Sequence, residues 1–258
     1  MDTLVELQHV GCRTGKTFLL KDINWQISVE ERWIVFGENG SGKTTLLSLI
    51  AGYKPYNNGC LRLFGQEPDE KSVLNNRQRI CLISTSFFNN VYRKESVLSI
   101  VLSGKWGSLG VMGYPCNQDI KKAKQLLAYL QIEQKMDIPY CFLSKGEQQL
   151  TLLARAMMSE AEIFLFDEAD SGLDLLARIR LQNVLEKIGQ ERSATMVYVT
   201  HYPNELPTSF DKCLLLKKGE VFYCGAIEEA FNETRFSKFL DQAVCVQKHR
   251  HGYDVMIR

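Results

Sequence analysis

The chain has almost no net charge: 31 basic and 30 acidic side chains among 258 residues leave a formal +1. Without a large field of either sign, long-range attraction to nucleic acid or anionic lipid is not expected. The short basic clusters Lys121-Lys122-Lys124 and Lys217-Lys218 read as solvated faces. No apolar run approaches the roughly 18 residues that cross a bilayer, so the chain is not expected to be a channel or carrier itself. Met1 to Glu6 hold no basic segment followed by an apolar one, and no secretion signal is expected. The cysteines (Cys12, Cys60, Cys81, Cys116, Cys141, Cys213, Cys224, Cys245) form no C-x-x-C pair, and Cys81 and Cys213 sit inside apolar, strand-like runs. Reduced thiols in a cytosolic protein fit that scatter better than disulfides. His249-Arg250-His251 invites a metal reading, but no carboxylate or cysteine partner stands out beside it.

What is present is a 45 % apolar chain that fits one large domain, or one domain with an insertion. The stretch from Leu4 and then Ile23-Asn24-Trp25-Gln26-Ile27 alternate with period two, as half-buried strands do. Trp33-Ile34-Val35-Phe36 is wholly apolar, the pattern of a strand covered on both faces. A helix over Thr45–Ala51 follows, stopped by Gly52. Strands are expected at Cys60–Phe64 and Ile80–Ile83. From about Ser96 to Leu143 the spacing turns helical, clearest over Ile120–Ile132, and no strand-like run returns until Ile163. Thereafter come a strand at Ile163–Phe166, a helix at Leu175–Ile188, a strand at Thr195–Val199 and a hairpin through Lys218-Gly219. A short C-terminal helix from Phe231 and an extended tail close the chain. Alternation of this kind predicts a mostly parallel α/β core with a helical insertion.

Two motifs carry chemistry. Gly37-Glu38-Asn39-Gly40-Ser41-Gly42-Lys43-Thr44 has the spacing G-x-x-x-x-G-K-T between a buried strand and a helix. Glycines let backbone N–H groups turn around phosphate oxygens, and the helix that follows offers its positive end. Lys43 is expected on the β- and γ-phosphates and Thr44 on Mg²⁺, so the loop predicts Mg-ATP binding. Asp167-Glu168 directly follows the strand Ile163–Phe166, where acids in open α/β sheets face a ligand crevice. Asp167 is expected to hold Mg²⁺ through water and Glu168 to act as general base.

Together with Leu143-Ser144-Lys145-Gly146-Glu147-Gln148-Gln149, Ser171-Gly172-Leu173-Asp174 and His201, these motifs resemble the nucleotide-binding subunit of ATP-binding cassette (ABC) proteins over most of the chain. The resemblance implies a P-loop NTPase of the ABC ATPase type. It would form a single ATP-binding domain over 1–258, with an N-terminal antiparallel β subdomain, a helical subdomain inserted at about 86–160 and a short C-terminal extension at about 231–258. It further implies head-to-tail pairing with a second cassette, an identical copy in the simplest case, and ATP hydrolysis that drives an integral membrane permease. The protein would then be cytoplasmic and peripheral on the inner face of the cell membrane. Gly37 through Thr45 would surround one nucleotide, while Ser144 and Gly146 would donate to the γ-phosphate on the partner. Asp174 would couple the two sites, and His201 would contact the γ-phosphate and the attacking water.

Three departures from the family pattern stand out. Thr85 takes the place of a glutamine that touches Mg²⁺ and senses the permease. Lys145 and Glu147 replace a glycine and a glutamine of the signature. Cys12 and Arg13 stand where an aromatic usually stacks on adenine, with Phe18 the nearest ring. The form L-S-x-G-E-Q-Q, with Val101-Leu102-Ser103-Gly104, most resembles the single cassettes of molybdate, metal and siderophore uptake. The missing glutamine also fits a different class, a soluble regulatory ATPase without a dedicated permease.

Overall fold

The computed structural model describes residues 2–69, 72–204, 206–249 and 252–258. The first half runs β1 (Thr3–Thr14), β2 (Thr17–Ser28), β3 (Arg32–Phe36), α1 (Lys43–Ile50), β4 (Asn58–Leu63), α2 (Ser72–Arg79), β5 (Ile80–Ile83), α3 (Thr85–Val91), α4 (Val97–Ser103) and α5 (Asn117–Tyr129). The second runs α6 (Lys145–Met158), β6 (Ile163–Asp167), α7 (Leu175–Arg192), β7 (Thr195–Thr200), β8 (Lys212–Lys217), β9 (Glu220–Ala226), α8 (Ile227–Ala230), α9 (Glu233–Leu240), β10 (Val244–His249) and β11 (Gly252–Ile257). Residues 1–69 with 195–258 make one compact unit and residues 70–194 a second.

In the first unit β1 lies between β2 and β4 in an antiparallel sheet. The period-two pattern of β2 is realised directly: Ile23, Trp25 and Ile27 are buried while Asp22, Asn24 and Gln26 face solvent. A second sheet places β3 between its parallel neighbours β7 and β8, with β9 returning antiparallel beside β8. Trp33, Ile34, Val35 and Phe36 are all buried, as a strand covered on both faces requires. Burial of such side chains contributes about 2 kcal/mol each. Trp33 meets Trp25 edge-on at 5.4 Å, and Phe36 meets the rings of Phe231, Phe236 and Phe239 at 5.6, 5.6 and 6.2 Å. The C-terminal residues are therefore part of the core that fixes the end of β3.

The expected extended tail is a hairpin, β10–β11. Its Tyr253 stacks on Phe231 at 4.6 Å and donates its backbone N–H to Pro203 O over 2.7 Å. The hairpin also brings Asp254 to 3.6 Å from Nε2 of His249, a carboxylate partner that the bare sequence did not suggest. Arg250 and His251 lie outside the described residues, and no metal-binding cluster of His, Cys, Asp or Glu occurs among those described.

Just before β3, Glu31 accepts hydrogen bonds from Lys212 Nζ, Trp33 Nε1 and Ser28 N. Burial alone would raise its pKa; the bond from Lys212 and those from Ser28 and Trp33 outweigh it and hold the carboxyl below its usual value. A depressed folded-state pKa stabilises the fold above the unfolded value and loses that contribution as pH falls through the folded one. Glu31→Gln is therefore expected to cost about 1–2 kcal/mol at pH 7, with a smaller cost at pH 4, in urea unfolding curves measured at both. An equal cost at both pH values would mean that the charge plays no part.

In the second unit β5 pairs parallel with β6, from Ile80 opposite Ile163 to Ile83 opposite Phe166. All described residues between them are helix or loop, as the spacing implied. The helix expected over Ile120–Ile132 starts and stops three residues earlier, at Asn117–Tyr129, with Ala123 and Leu127 on its buried side. Three short helices, α2, α3 and α4, were not expected individually. The chain is thus α/β, with mostly parallel core strands and a separate antiparallel sheet. No helix among the described residues is long and apolar enough to cross a membrane.

Candidate functional site

The first unit carries the phosphate loop. Phe36 ends β3, and the chain passes through Gly37–Gly42 into α1. Gly40 and Gly42 take φ of 79° and 105°, left-handed values that favour glycine. A Cβ on Gly37 would lie 2.3 Å from Leu216 O, and one on Gly42 would lie 2.6 Å from Leu19 O. β8 and β2 thus back the loop closely and force its glycines. Lys43 is buried, with Nζ donating to the carbonyls of Gly37 at 2.7 Å and Glu38 at 2.9 Å. The Ser41 hydroxyl, in a residue only 3 % exposed, has no hydrogen-bond partner among the described residues. A buried hydroxyl of this kind costs about 1–3 kcal/mol until a partner arrives, which fits a phosphate-binding loop. Glu38, Asn39, Gly40 and Thr44 are exposed, and Thr45 is half-buried.

His201 follows β7 in the same unit and is half-buried, its ring 5.8 Å from that of Tyr202. Near the tip of β1–β2, Arg13 pairs across the strands with Phe18 and both are exposed. Cys12 is buried and directs its thiol to Pro55 O at 3.5 Å. Arg13 and Phe18 are accordingly the accessible flat groups at that edge.

The second unit carries the acids and the signature. Asp167 is the last residue of β6 and is 4 % exposed. Glu168 follows with φ 51°, a left-handed conformation costing about 1 kcal/mol or more in a non-glycine residue, and its carbonyl accepts from Ser171 N at 3.0 Å. Asp174 is the N-cap of α7, its carboxylate accepting from Ala177 N at 2.8 Å. Ser144 is the N-cap of α6, within a reciprocal capping box. Glu147 N donates to Ser144 Oγ at 3.3 Å, and Ser144 N donates to Glu147 Oε2 at 2.8 Å. That bond from Ser144 N, with help from Lys135 at 3.1 Å, holds the Glu147 carboxyl below its usual pKa. Glutamate at this position is thus a helix-capping choice. Ser144 is itself exposed, and its hydroxyl also bonds the Glu147 carboxylate and adds to that lowering.

Lys145, the other signature departure, is exposed and lies along the Ser171–Asp174 segment: a Cβ on Gly172 would sit 3.6 Å from the Lys145 side chain. The signature and the Ser171–Asp174 segment, the D-loop of the family resemblance, thus adjoin within this unit.

Two residues escaped the sequence reading. Thr85, the expected stand-in for the family glutamine, is half-buried at the start of α3 and its side chain makes no hydrogen bond to the described residues. One residue earlier, Ser84 Oγ donates to Asp167 Oδ2 at 2.9 Å. The second is Arg155, buried on α6. It donates to Ser103 Oγ at 3.3 Å and Ser108 O at 3.1 Å, and its guanidinium lies 5.3 Å from the Phe88 ring centre and 6.0 Å from that of Tyr92. A serine one residue before a helix is a visible cap signal, but nothing local says which acid its proton meets.

Phosphate loop, strand-end acids, signature helix and D-loop together define a nucleotide-binding cassette. The chain matches the ABC transporter family over residues 20–171. It is 35 % identical to YlmA of Bacillus subtilis (strain 168), an uncharacterised ABC transporter ATP-binding protein, over 94 % of this chain and 93 % of that one. It is 32 % identical to the molybdate import ATP-binding protein MolC of Haemophilus influenzae (strain ATCC 51907 / DSM 11121 / KW20 / Rd), over 84 % and 81 %. Among solved structures it superposes with a TM-score of 0.75 on the dimeric, post-hydrolysis cassette MJ0796 bound to ADP and Pi, at 25 % identity, covering 87 % of this chain and 99 % of that one. The chain belongs to the ABC transporter family as an ATP-binding subunit, and ATP hydrolysis is the activity of that family.

Proposed function

We propose that this cassette dimerises head-to-tail, as a homodimer in the simplest case, around two Mg-ATP and drives a separate membrane permease for uptake of an oxyanion, metal or siderophore. The observation that carries the dimer is the start of α6. Ser144 is exposed at the N-cap and Gly146 lies in the first turn, so the serine side chain and the positive helix end are accessible to a γ-phosphate bound elsewhere. That phosphate belongs to a second copy. The dimeric state of the structural neighbour supports the reading, and the oxyanion cargo named for the Haemophilus influenzae relative supports the substrate class.

Within each site Gly37–Thr45 wraps the phosphates, Lys43 moves from its carbonyls onto the β- and γ-phosphate oxygens, and Ser41 gains the partner it lacks. Thr44 and Asp167 are hard oxygen donors of the kind Mg²⁺ takes, Asp167 through water. Held by these residues, Mg²⁺ would supply charge neutralisation to the phosphates. Glu168 accepts a proton from the attacking water, His201 steadies the γ-phosphate, and Asp174 relays closure between the sites. The segment about 86–160 serves as the helical subdomain that receives the permease, and residues about 231–258 form a C-terminal extension. The protein then sits on the inner face of the cell membrane without entering it.

Purification from native membranes tests the reading. An integral membrane protein at fixed stoichiometry with the cassette is expected, together with ATPase activity that the pair shares. A soluble homodimer with no membrane partner would favour the regulatory ATPase to which the Thr85 departure points.

A further inference from the structure

We infer that Ser84 is the positioning residue for Asp167, and that through it the first turn of α3 sets the metal requirement of nucleotide binding. The inference rests on the metal role proposed above for Asp167. Ser84 and Asp167 are 1 % and 4 % exposed, and Oγ to Oδ2 is 2.9 Å. An ionised carboxylate can only accept, so the single hydroxyl proton of Ser84 goes to Asp167. The remaining capacity of Ser84 Oγ is then acceptor only. It caps α3 by taking Phe87 N at 3.4 Å, and with its proton committed it accepts from Ser86 Oγ at 3.0 Å. A hydrogen bond to a charged acceptor is about twice as strong as a neutral one and is sharply directional, so it fixes one carboxylate oxygen.

The same short helix is held at its far end. Phe88 and Tyr92 stack at 4.9 Å, and the Arg155 guanidinium lies beside both rings. Arg155 belongs to α6, whose first turn is the Ser144 capping box. α3 is therefore clamped between the acid and the signature helix, and movement of its first turn moves the Asp167 carboxylate. Thr85 offers no such grip.

The test reads the free Mg²⁺ concentration that half-saturates ATP binding to the purified full chain, by isothermal titration at several Mg²⁺ levels, alongside turnover and thermal unfolding. Ser84→Ala is expected to raise that concentration about tenfold, the loss of one charge-assisted bond. Ser84→Thr, which keeps the hydroxyl, restores the wild-type value, and Ser84→Ala adds nothing further in an Asp167→Asn background. Ser84→Cys, similar in size with a weak donor, falls between and serves if the alanine variant fails to fold. A Ser84→Ala or Ser84→Cys protein that melts earlier but keeps the wild-type Mg²⁺ dependence would reduce Ser84 to a helix cap and overturn the inference. If Asp167→Asn itself leaves the Mg²⁺ dependence unchanged, the fault lies with the metal role of Asp167; if only the Ser84 variants do, it lies with Ser84.

Discussion

Glu168→Gln is expected to keep ATP binding intact while cutting hydrolysis by about 10² or more, the usual effect of losing a general base. The substitution suits the site because glutamine has nearly the same shape and leaves the backbone demand unchanged. Glu168 holds φ 51° immediately after the buried end of β6, with its carbonyl fixed by Ser171 N at 3.0 Å. A left-handed, non-glycine residue at the end of a core strand is an arrangement that the surrounding fold imposes against its own preference, and such positions cluster at functional sites. Removing only the proton-accepting oxygen therefore separates chemistry from folding. With the nucleotide uncleaved, the Ser144 and Gly146 donors of one copy stay engaged on the phosphate of the other, and an ATP-bound dimer accumulates. Phosphate release, nucleotide affinity and size-exclusion chromatography with and without Mg-ATP check the three parts together. Wild-type turnover in the variant would mean that another group accepts the proton. Loss of turnover without a trapped dimer would count against the head-to-tail arrangement.

Much of this was legible in the sequence where the signal is local. The phosphate loop is specified by glycine spacing between an apolar strand and a helix, and of its two left-handed glycines, Gly40 and Gly42, the second is at a position that the motif reserves for glycine. β3 and β6 were readable because runs such as Trp33–Phe36 and Ile163–Phe166 suit only strands covered on both sides. What escaped is long-range or decided by packing. The Ser84–Asp167 bond spans 83 positions, so Thr85 looked the better candidate by its place in the motif. Helix α2 buries no residue and has no apolar stripe to announce it. The docking of β10 and β11 depends on Tyr253 reaching Pro203 and Phe231, contacts that no periodicity foretells. Lys145 and Glu147 read only as departures from the signature; in the fold Glu147 completes a capping box and Lys145 lies along Gly172.

Gly104→Ala is expected to be strongly destabilising, although Gly104 is helical and needs no left-handed φ. Its Cβ would lie 2.2 Å from Arg155 O and 3.1 Å from Arg155 C and Cγ. The nearest of those atoms is backbone in the last turn of α6, which cannot swing aside as a side-chain tip would. Overpacking in a well-filled core costs about 1–3 kcal/mol, and a clash with helix backbone belongs at the upper end of that range. The neighbouring Ser103 is tied in as well, its Oγ donating to Ile100 O at 2.6 Å and accepting from Arg155 at 3.3 Å. The Val101-Leu102-Ser103-Gly104 run, which by resemblance pointed to one branch of uptake cassettes, is thus in this fold the surface on which α4 seats against the signature helix. To admit a methyl group, α4 and α6 must part by some tenths of an ångström. That movement reaches Ser144 through α6, and Phe88 and Tyr92 through Arg155. The expected result is an unfolding free energy lower by about 2–3 kcal/mol in urea, with weaker ATP-driven dimerisation than the loss of stability alone explains. Gly110→Ala is the control, because a Cβ there meets nothing within 4 Å and changes the loop by the same single methyl. Equal stability of the two variants would show that the α4–α6 contact yields readily, and the signature helix would then be less rigidly seated than this packing requires.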